Sequence, residues 1–227
     1  MKTSLLVLPA LLAAGCFAGP PSNNGDAGLL SFSTGPILAG HARTIAISRA
    51  ETSSCLLPEH RCGRNVSRPD AIVAARCLDE RVCTAEIVGA SEVRVRVRAA
   101  GTTTLSVTAR IHGEEVTDAT AIEGVDLSRI EIVCTSDCDP RVEEKRPIST
   151  KVGDRLTWQL FLWTRTAEGE VPALVEDGIA IATEGGVRAM VEPDAQLVTV
   201  EAMQPGPGRV TLGVHPLALA ITLDVRP

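Results

Sequence analysis

Hydrophobic and polar residues alternate along several short segments of this chain, which is the pattern of half-buried β-strands. In SEVRVRVRAA, Val93, Val95 and Val97 alternate with arginines, so one face of the segment is apolar and the other is charged. The segment TTTLSVTARI follows after Gly101 and alternates in the same way. Because a glycine separates the two segments, we predict a β-hairpin that turns at Gly101. The inward-facing positions expected in the second segment are Leu105, Val107, Ala109 and Ile111.

The same alternation recurs in other parts of the chain and predicts further strands. RTIAISRA and EEVTDATAI are weaker candidates in the first half. In the second half, GDRLTWQLFLWT has one apolar face, VRAMVEPDAQLVTVEA reads as a hairpin, and PGPGRVTLGV and ALAITLDVRP end the chain. Turn residues recur about every ten positions and long helical periodicity is missing, which predicts an all-β fold of antiparallel sandwiches. The apolar face of the first of these second-half strands comprises Leu156, Trp158, Leu160 and Leu162.

The N-terminus has the pattern of an export signal. Lys2 precedes an apolar run of about ten residues, from Leu5 to Ala14, which is too short to span a bilayer as a helix. The run ends at Cys16, and a segment rich in Pro, Gly and Asn follows. This composition predicts a flexible tether over residues 16–27.

The small residues directly before Cys16 resemble the lipobox of bacterial lipoproteins. The resemblance implies that residues 1–15 are a signal peptide and that Cys16 receives a diacylglyceryl group and becomes the new N-terminus. This covalent lipid is the only cofactor that we expect. Phe17 stands where Asp would favour inner-membrane retention, which implies an outer-membrane location, facing the periplasm or the surface. The alternative is a secreted protein with an incidental cysteine.

Two longer regions resemble bacterial immunoglobulin-like domains of the Big-2 type. The second region carries the resemblance in KVGDRLTWQLFLWT, VRAMVEPDAQLVTVEAMQPGPGRVTLGV and ALAITLDV. ILAGHARTIAIS and SEVRVRVRAAGTTTLSVTAR resemble the same pattern less closely. The resemblance implies two tandem immunoglobulin-like sandwiches, over residues 28–124 and 125–227, with a cysteine-rich insertion in the first. It implies a stalk, adhesion or spacer role and no catalytic residues.

The chain has seven cysteines. Removing Cys16 leaves an even number, which suits disulfides in an exported protein. We favour pairs of nearest neighbours, and expect that the pair flanking LDERV closes a hairpin. A nested arrangement, Cys55 with Cys83 and Cys62 with Cys77, is the leading alternative. The disulfide candidates are Cys55, Cys62, Cys77, Cys83, Cys134 and Cys138.

Metal binding and catalysis receive little support from the sequence. His60 lies near Cys62, but the cysteine spacings do not match a structural zinc site. Asp137 and Asp139 could contribute to a calcium site, although two aspartates in a loop are usually solvated. The four histidines form no metal-binding array, and no nucleophile elbow or phosphate loop is present. We therefore predict no metal and no enzymatic activity.

Two groups of residues are candidates for binding a partner. Arg61, Arg64 and Arg68 lie in the cysteine-rich segment, where they could bind an acidic protein or carbohydrate. Phe161 and Trp163 share the face of their strand opposite Trp158, so they are expected to lie under a loop, against the first domain, or on an exposed apolar patch.

Charge and composition narrow the possible partners. The chain has a net charge of −6 and no tyrosine. Acidic residues exceed basic ones only after Val125, which disfavours nucleic acid as a partner. The sequence therefore predicts a non-enzymatic envelope lipoprotein that acts as a spacer or as a binding or adhesion module. The alternatives are an accessory subunit of an envelope complex, or a hydrolase with an unfamiliar site.

Overall fold

A computed structural model describes residues 22–50, 67–135, 147–166, 169–173, 175–192 and 196–227. These residues form eighteen β-strands and contain no helix. The strands form four sheets, and the apolar side chains between the sheets form two separate hydrophobic clusters. The predicted all-β sandwich architecture is confirmed.

The first nine strands form the two sheets of the first sandwich. One sheet has the order β1-β2-β4-β7-β6 and the other has the order β3-β9-β8-β5. The strands are β1 (Ser22–Asn24), β2 (Leu30–Ser33), β3 (Ile37–Leu38), β4 (Ala42–Arg49), β5 (Ala71–Cys77), β6 (Cys83–Gly89), β7 (Glu92–Val97), β8 (Gly101–Ile111) and β9 (Glu114–Val125).

The last nine strands form the second sandwich. Its sheets have the orders β10-β12-β16-β15 and β11-β18-β17-β14, and β13 adds to the first of them by pairing with β12. The strands are β10 (Leu127–Cys134), β11 (Ile148–Lys151), β12 (Arg155–Thr166), β13 (Gly169–Ala173), β14 (Ile179–Gly185), β15 (Val187–Glu192), β16 (Leu197–Ala202), β17 (Gly206–Val214) and β18 (Leu217–Arg226).

The two sandwiches share one topology. With the strands of each half lettered A to G, one sheet reads A-B-E-D and the other contains C-F-G, which is the order of a constant-type immunoglobulin domain. In both halves a short strand adds to the second sheet by pairing in parallel with the last strand: β3 with β9, and β11 with β18. All other strand pairs are antiparallel.

The alternating residues build the cores as predicted. Val93, Val95 and Val97 are fully buried, and the inward row of β8 is buried as well. In the second sandwich Trp158 is fully buried among the leucines of its own strand. Burying a valine, leucine or isoleucine side chain contributes about 1.5–3 kcal/mol to the free energy of folding relative to leaving it exposed. These rows therefore fix which face of each strand points inward.

The hairpin predicted at Gly101 is wrong. β7 pairs with β4 and β6, whereas β8 pairs with β5 and β9, so the two strands belong to opposite sheets. Gly101 has a φ of 143°, which favours glycine, and it begins β8 after the chain has crossed between sheets. The hairpin predicted in the second half is confirmed, because β15 and β16 pair from Glu192 with Leu197 onward.

Two other expectations about the first half need correction. Part of the cysteine-rich insertion, which was predicted from Ser53 to Thr84, forms β5 and the start of β6, and these are regular strands of the two sheets. The C-terminal part of the predicted tether is also folded, because β1 (Ser22–Asn24) pairs with β2. The proposed division into domains at residues 124 and 125 stays a prediction; β9 ends at Val125 and β10 begins at Leu127.

Candidate functional site

Most of the residues predicted from the N-terminal and cysteine-rich segments lie outside the described ranges. Four expectations therefore remain predictions: the lipidation, the arginine-rich loop, two of the three favoured disulfides and the suggested metal ligands. Arg68 is described and is exposed. The residues outside the described ranges are Cys16, Cys55, His60, Arg61, Cys62, Arg64, Asp137, Cys138 and Asp139.

The disulfide between Cys77 and Cys83 is present, with the two Cα atoms 5.8 Å apart. Cys77 ends β5 and Cys83 begins β6, and these strands lie in opposite sheets. The predicted pairing is confirmed, but the predicted hairpin geometry is wrong. The bond links the two sheets at the edge of the first core, where both cysteines are buried. Cys134 is also disulfide-bonded.

Phe161 and Trp163 lie side by side on the outer face of β12, opposite the buried Trp158. Their rings stack with centroids 6.1 Å apart and an angle of 24° between the planes. Both side chains are half-buried, so this face is neither fully covered nor fully exposed. The predicted orientation of the pair is correct, and the pair remains a candidate for partner binding.

Charged residues hold the Trp163 ring in place. Arg129 on β10 lies beside Trp163 in the sheet register, and its guanidinium lies over the ring at 5.1 Å from the centroid. The indole N–H of Trp163 donates to Glu131 at 2.7 Å. Arg129 also donates to Glu131 and Glu170, while Arg165 pairs with Glu170 at 3.8 Å. The ring is therefore fixed before any partner binds.

The second group of interest lies where the two sandwiches meet. Asp177, from the loop before β14, reaches the first sandwich, where its carboxylate accepts the backbone N–H of Ala42 at 2.9 Å. The same carboxylate accepts a hydrogen bond from Arg96 at 2.9 Å and lies 3.7 Å from Arg94. The Nδ1 of the buried His41 donates to the backbone carbonyl of Asp177 at 2.9 Å. One loop of the second sandwich thus contacts two strands of the first.

The electrostatics at Asp177 favour an ionised carboxylate. Partial burial by itself raises the pKa of Asp177, but the hydrogen bond from Ala42 and the charge of Arg96 outweigh it and lower the pKa below its usual value. The neighbouring Gly178 has a φ of 76°, and a Cβ at this position would lie 2.5 Å from the His41 ring. Glycine is favoured here, because the positive φ suits it and because a Cβ would clash with the His41 ring.

Apolar residues continue the contact between the sandwiches. Leu38 and Val125 are partners in the parallel pairing of β3 with β9, yet both belong to the hydrophobic cluster of the second sandwich. Only Asp126 separates β9 from β10, and its carbonyl accepts a hydrogen bond from the buried Thr164 on β12. We call the contacts of Leu38, His41, Val125 and Asp177 the junction.

Arg43 is a buried cation near the junction. Its position on β4 has the inward parity of Ile45 and Ile47, and it is only 5% exposed. Burial lowers the pKa of Arg43, and attraction to Glu176 of the second sandwich opposes that change. Within the described ranges, its Nη1 atom has no hydrogen-bond partner. The alternation in RTIAISRA places Arg43 on the inward row, so the pattern contained a signal for this buried arginine that the sequence analysis did not use.

Asp118 on β9 holds the entry of the chain into the first sandwich. It is 3% exposed, and its carboxylate accepts backbone N–H groups from Ala27, Leu29, Leu30 and Ala119 at 2.7 to 2.8 Å. Burial by itself raises the pKa of Asp118, but these hydrogen bonds outweigh it and lower the pKa. A Cβ on Gly25 would overlap the Asp118 carboxylate, so only glycine lets the backbone pass this close to it.

The three described histidines lie in different parts of the fold. No group of three or more His, Cys, Asp or Glu residues there could hold a metal ion. His41 lies at the junction, whereas His112 and His215 lie in exposed turns of different sandwiches. Among the same residues, no helix is long and apolar enough to cross a membrane.

Sequence reasoning missed both aspartates that organise the structure. Asp118 interrupts the alternating pattern of EEVTDATAI at an inward position. This was an available signal of a structural role, because a buried carboxylate needs hydrogen-bond partners. Asp177 had only the weak signal of an Asp-Gly turn. Their partners come from other parts of the chain and could not be identified from sequence.

Comparison with known proteins identifies no family. The chain matches no family profile and no curated protein sequence. Among solved structures, domains 5–6 of the S-layer protein SbsC are 15% identical, with a TM-score of 0.32 over 83% of this chain and 91% of that chain. A chimeric titin Z1Z2 is 9% identical, with a TM-score of 0.34 over 87% and 97% of the respective chains. The D00–D0 domain of intimin is 9% identical, with a TM-score of 0.30 over 87% and 98%. At these TM-scores the similarities carry no argument about function.

Proposed function

We propose that this chain is a bacterial envelope lipoprotein, anchored through Cys16, whose sandwiches act as a non-enzymatic spacer that presents a binding surface. The lipobox resemblance and the tether composition support the anchor. The absence of a metal-binding cluster among the described residues is compatible with a non-enzymatic role. The proposed location is the outer membrane, and the proposed partners are envelope proteins or carbohydrates.

The junction is the observation that carries the spacer role. A spacer transmits position only if its parts do not bend freely, and contacts between domains of one chain are often small enough to allow such motion. Here Asp177 binds Ala42 and Arg96, and Leu38 enters the core of the other sandwich. These contacts oppose bending at the single connecting residue, Asp126.

The position of β1 fits an anchored N-terminus. β1 is an edge strand held on β2, and the backbone that follows it is bound by the Asp118 carboxylate. A pull on the tether would therefore act on a hydrogen-bonded hairpin attached to β9. This arrangement gives the proposed tether a firm attachment to the first sandwich.

Intact mass of the protein purified from bacterial membranes tests the anchor. We expect a chain that begins at Cys16 and carries a diacyl or triacyl group, because one acyl chain alone holds a protein weakly on a membrane. Alkylation with and without prior reduction should modify six cysteines only after reduction. The Cys16→Ser variant is the control and should lose the lipid mass.

An unlipidated chain cut at another site would contradict the anchor and make the protein secreted. Free cysteines at positions 55 and 62 would contradict the proposed disulfide framework and reopen the zinc alternative. Neither result would alter the junction.

A further inference from the structure

The outer faces of the two A-B-E-D sheets differ in chemistry although the sheets have the same strand order. On the first sandwich this face carries serine, threonine, alanine, arginine and glutamate on its central strands β4 and β7. On the second sandwich the corresponding face carries Phe161 and Trp163 on β12, with Pro172 beside Trp163 on β13. Met190 lies on the same outer face, on β15, and is 44% exposed; the register places it next to Thr199, two strands away from β12.

This difference is not required by folding. Both sandwiches form their cores from inward-facing residues, and the first shows that a polar outer face is compatible with the topology. The chain has only three Phe and two Trp, of which Phe32 and Trp158 fill the two cores. Two further aromatic residues stacked on one outer face therefore mark a surface with a role of its own.

We propose that the outer face of the sheet formed by β10, β12, β13, β16 and β15 pairs with the same face of a second copy of this chain. Twisted sheets pack face to face about 10 Å apart, so a sheet face with a central apolar strip suits this contact. Trp163 and Phe161 form the centre of the contact, and the charged residues around them form its rim. We call this surface the aromatic face.

The charges at the rim favour a second copy over a charged partner. Arg129 and Arg165 alternate with Glu131 and Glu170 around the aromatic pair, so the rim is neutral although the second half of the chain is acidic. Arg188 and Glu192 continue this balance on β15. A twofold axis through the centre can bring the arginines of one copy to the glutamates of the other, as a self-complementary interface requires.

The size of the aromatic face indicates a weak, reversible dimer. Residues 157–165 of β12 extend over roughly 26 Å, and the strands from β10 to β15 cover roughly 14 Å across. The resulting projected area of about 360 Å² is small beside the roughly 800 Å² per partner of a standard interface. If the proposed membrane anchor is present, it would raise the local concentration and favour pairing. The pairing itself does not depend on that anchor.

Charge-reversal variants of the full chain test the pairing by sedimentation velocity in a density-matched detergent. Arg165→Glu and Glu170→Arg each place like charges on both copies, so each variant alone should dimerise less than the wild type. An equimolar mixture brings a negative face to a positive one and should restore the dimer or exceed the wild-type amount. Both side chains are exposed, so folding should change little.

Truncating the aromatic ring tests the centre of the same surface. Trp163→Ala should raise the dimer dissociation constant about tenfold or more, as for an aromatic residue at the centre of an interface. Ser48→Ala, on the corresponding outer face of the first sandwich, is the matched control and should leave the constant unchanged.

Several results would overturn the proposal. These are a wild-type chain that stays monomeric at the highest soluble concentration, a charge-reversed mixture that associates no better than its components, and equal effects of Trp163→Ala and Ser48→Ala. Capture of a different envelope protein by the aromatic face, with no dimer, would also overturn it. Loss of the lipid on Cys16 would contradict the proposed anchor and leave this test unaffected.

Discussion

The first and second sandwiches have the same strand order, but they differ in which residues form the core and in the chemistry of the outer sheet face. The core of the first sandwich is built from its own strands, whereas that of the second includes Leu38 and Val125 from the first. The outer A-B-E-D face of the first is polar and that of the second carries the aromatic pair. The shared topology thus depends on inward-facing residues, while outer faces can differ without changing the fold.

A second difference lies in the two aspartates that accept backbone N–H groups. Asp118 acts within the first sandwich and fixes the segment after β1, whereas Asp177 of the second sandwich acts across the junction. Both carboxylates have lowered pKa values, because hydrogen bonds outweigh the effect of burial. Asp118 binds the segment that enters the first sandwich, and Asp177 binds the neighbouring sandwich.

The largest expected effect tests whether the two cores are stable independently. Trp158→Ala removes the largest fully buried side chain and should lower the free energy of unfolding of the second sandwich by about 3–5 kcal/mol. Scanning calorimetry should show one early transition, with the first sandwich unfolding near its original temperature.

Phe32→Ala is the matched change in the other core and should produce the reverse order of transitions. A single transition that shifts equally for both variants would contradict independent cores and show that the junction couples them fully. Trp158→Phe should lower the free energy of unfolding less than Trp158→Ala. The indole Nε1 has no hydrogen-bond partner among the described residues, so replacing the indole by phenyl loses no hydrogen bond there.

The next effect concerns the entry of the chain into the first sandwich. Asp118→Asn should lower the free energy of unfolding by about 2–3 kcal/mol at pH 7, because one amide oxygen cannot replace a carboxylate that accepts four backbone N–H groups. Hydrogen exchange at the Leu30 amide should accelerate. Asp26→Asn is the control, since that side chain is exposed.

The pH dependence of this effect has a definite sign. The folded pKa of Asp118 is below its ordinary value, so the stabilisation is fully present above about pH 4. It is lost as the pH falls through the folded pKa, and the difference between wild type and Asp118→Asn should shrink there. A difference that grows on acidification would contradict the carboxylate's role.

The smallest effect tests the junction. Gly178→Ala places a Cβ against the His41 ring and should destabilise the protein by about 1–2 kcal/mol more than Gly153→Ala. Gly153 also has a positive φ, but nothing lies within 4 Å of its Cβ position, so it controls for backbone strain alone. Small-angle scattering should show a broader range of shapes only for Gly178→Ala.

Removing the His41 ring provides the coupling measurement. In a double-mutant cycle, His41→Ala should cancel most of the additional destabilisation caused by Gly178→Ala, because the clash requires both the new Cβ and the His41 ring. Additive effects would contradict direct contact between Gly178 and His41 and weaken the spacer proposal with it.

The strands and their inward faces were largely predictable from the chain. Val93, Val95 and Val97 alternate with arginines, and such a row can be buried only in one orientation. The pairing of Cys77 with Cys83 was also correct, because short separation limits the options. The connection at Gly101 was not predictable in this way, since a glycine between strands fits both a hairpin and a crossover between sheets.

The sequence by itself determined the all-β class and the inward row of most strands, and it favoured one local disulfide without excluding the nested pairing, because these features depend on residues close together in the chain. Only the tertiary structure decided which strands pair and what Asp118 and Asp177 bind. Ala42 lies far from Asp177 in sequence, and so does Leu38 from the core that it enters. Such contacts depend on how two sheets and two sandwiches pack, and an alternating pattern records only that a residue points inward or outward, not what it meets there.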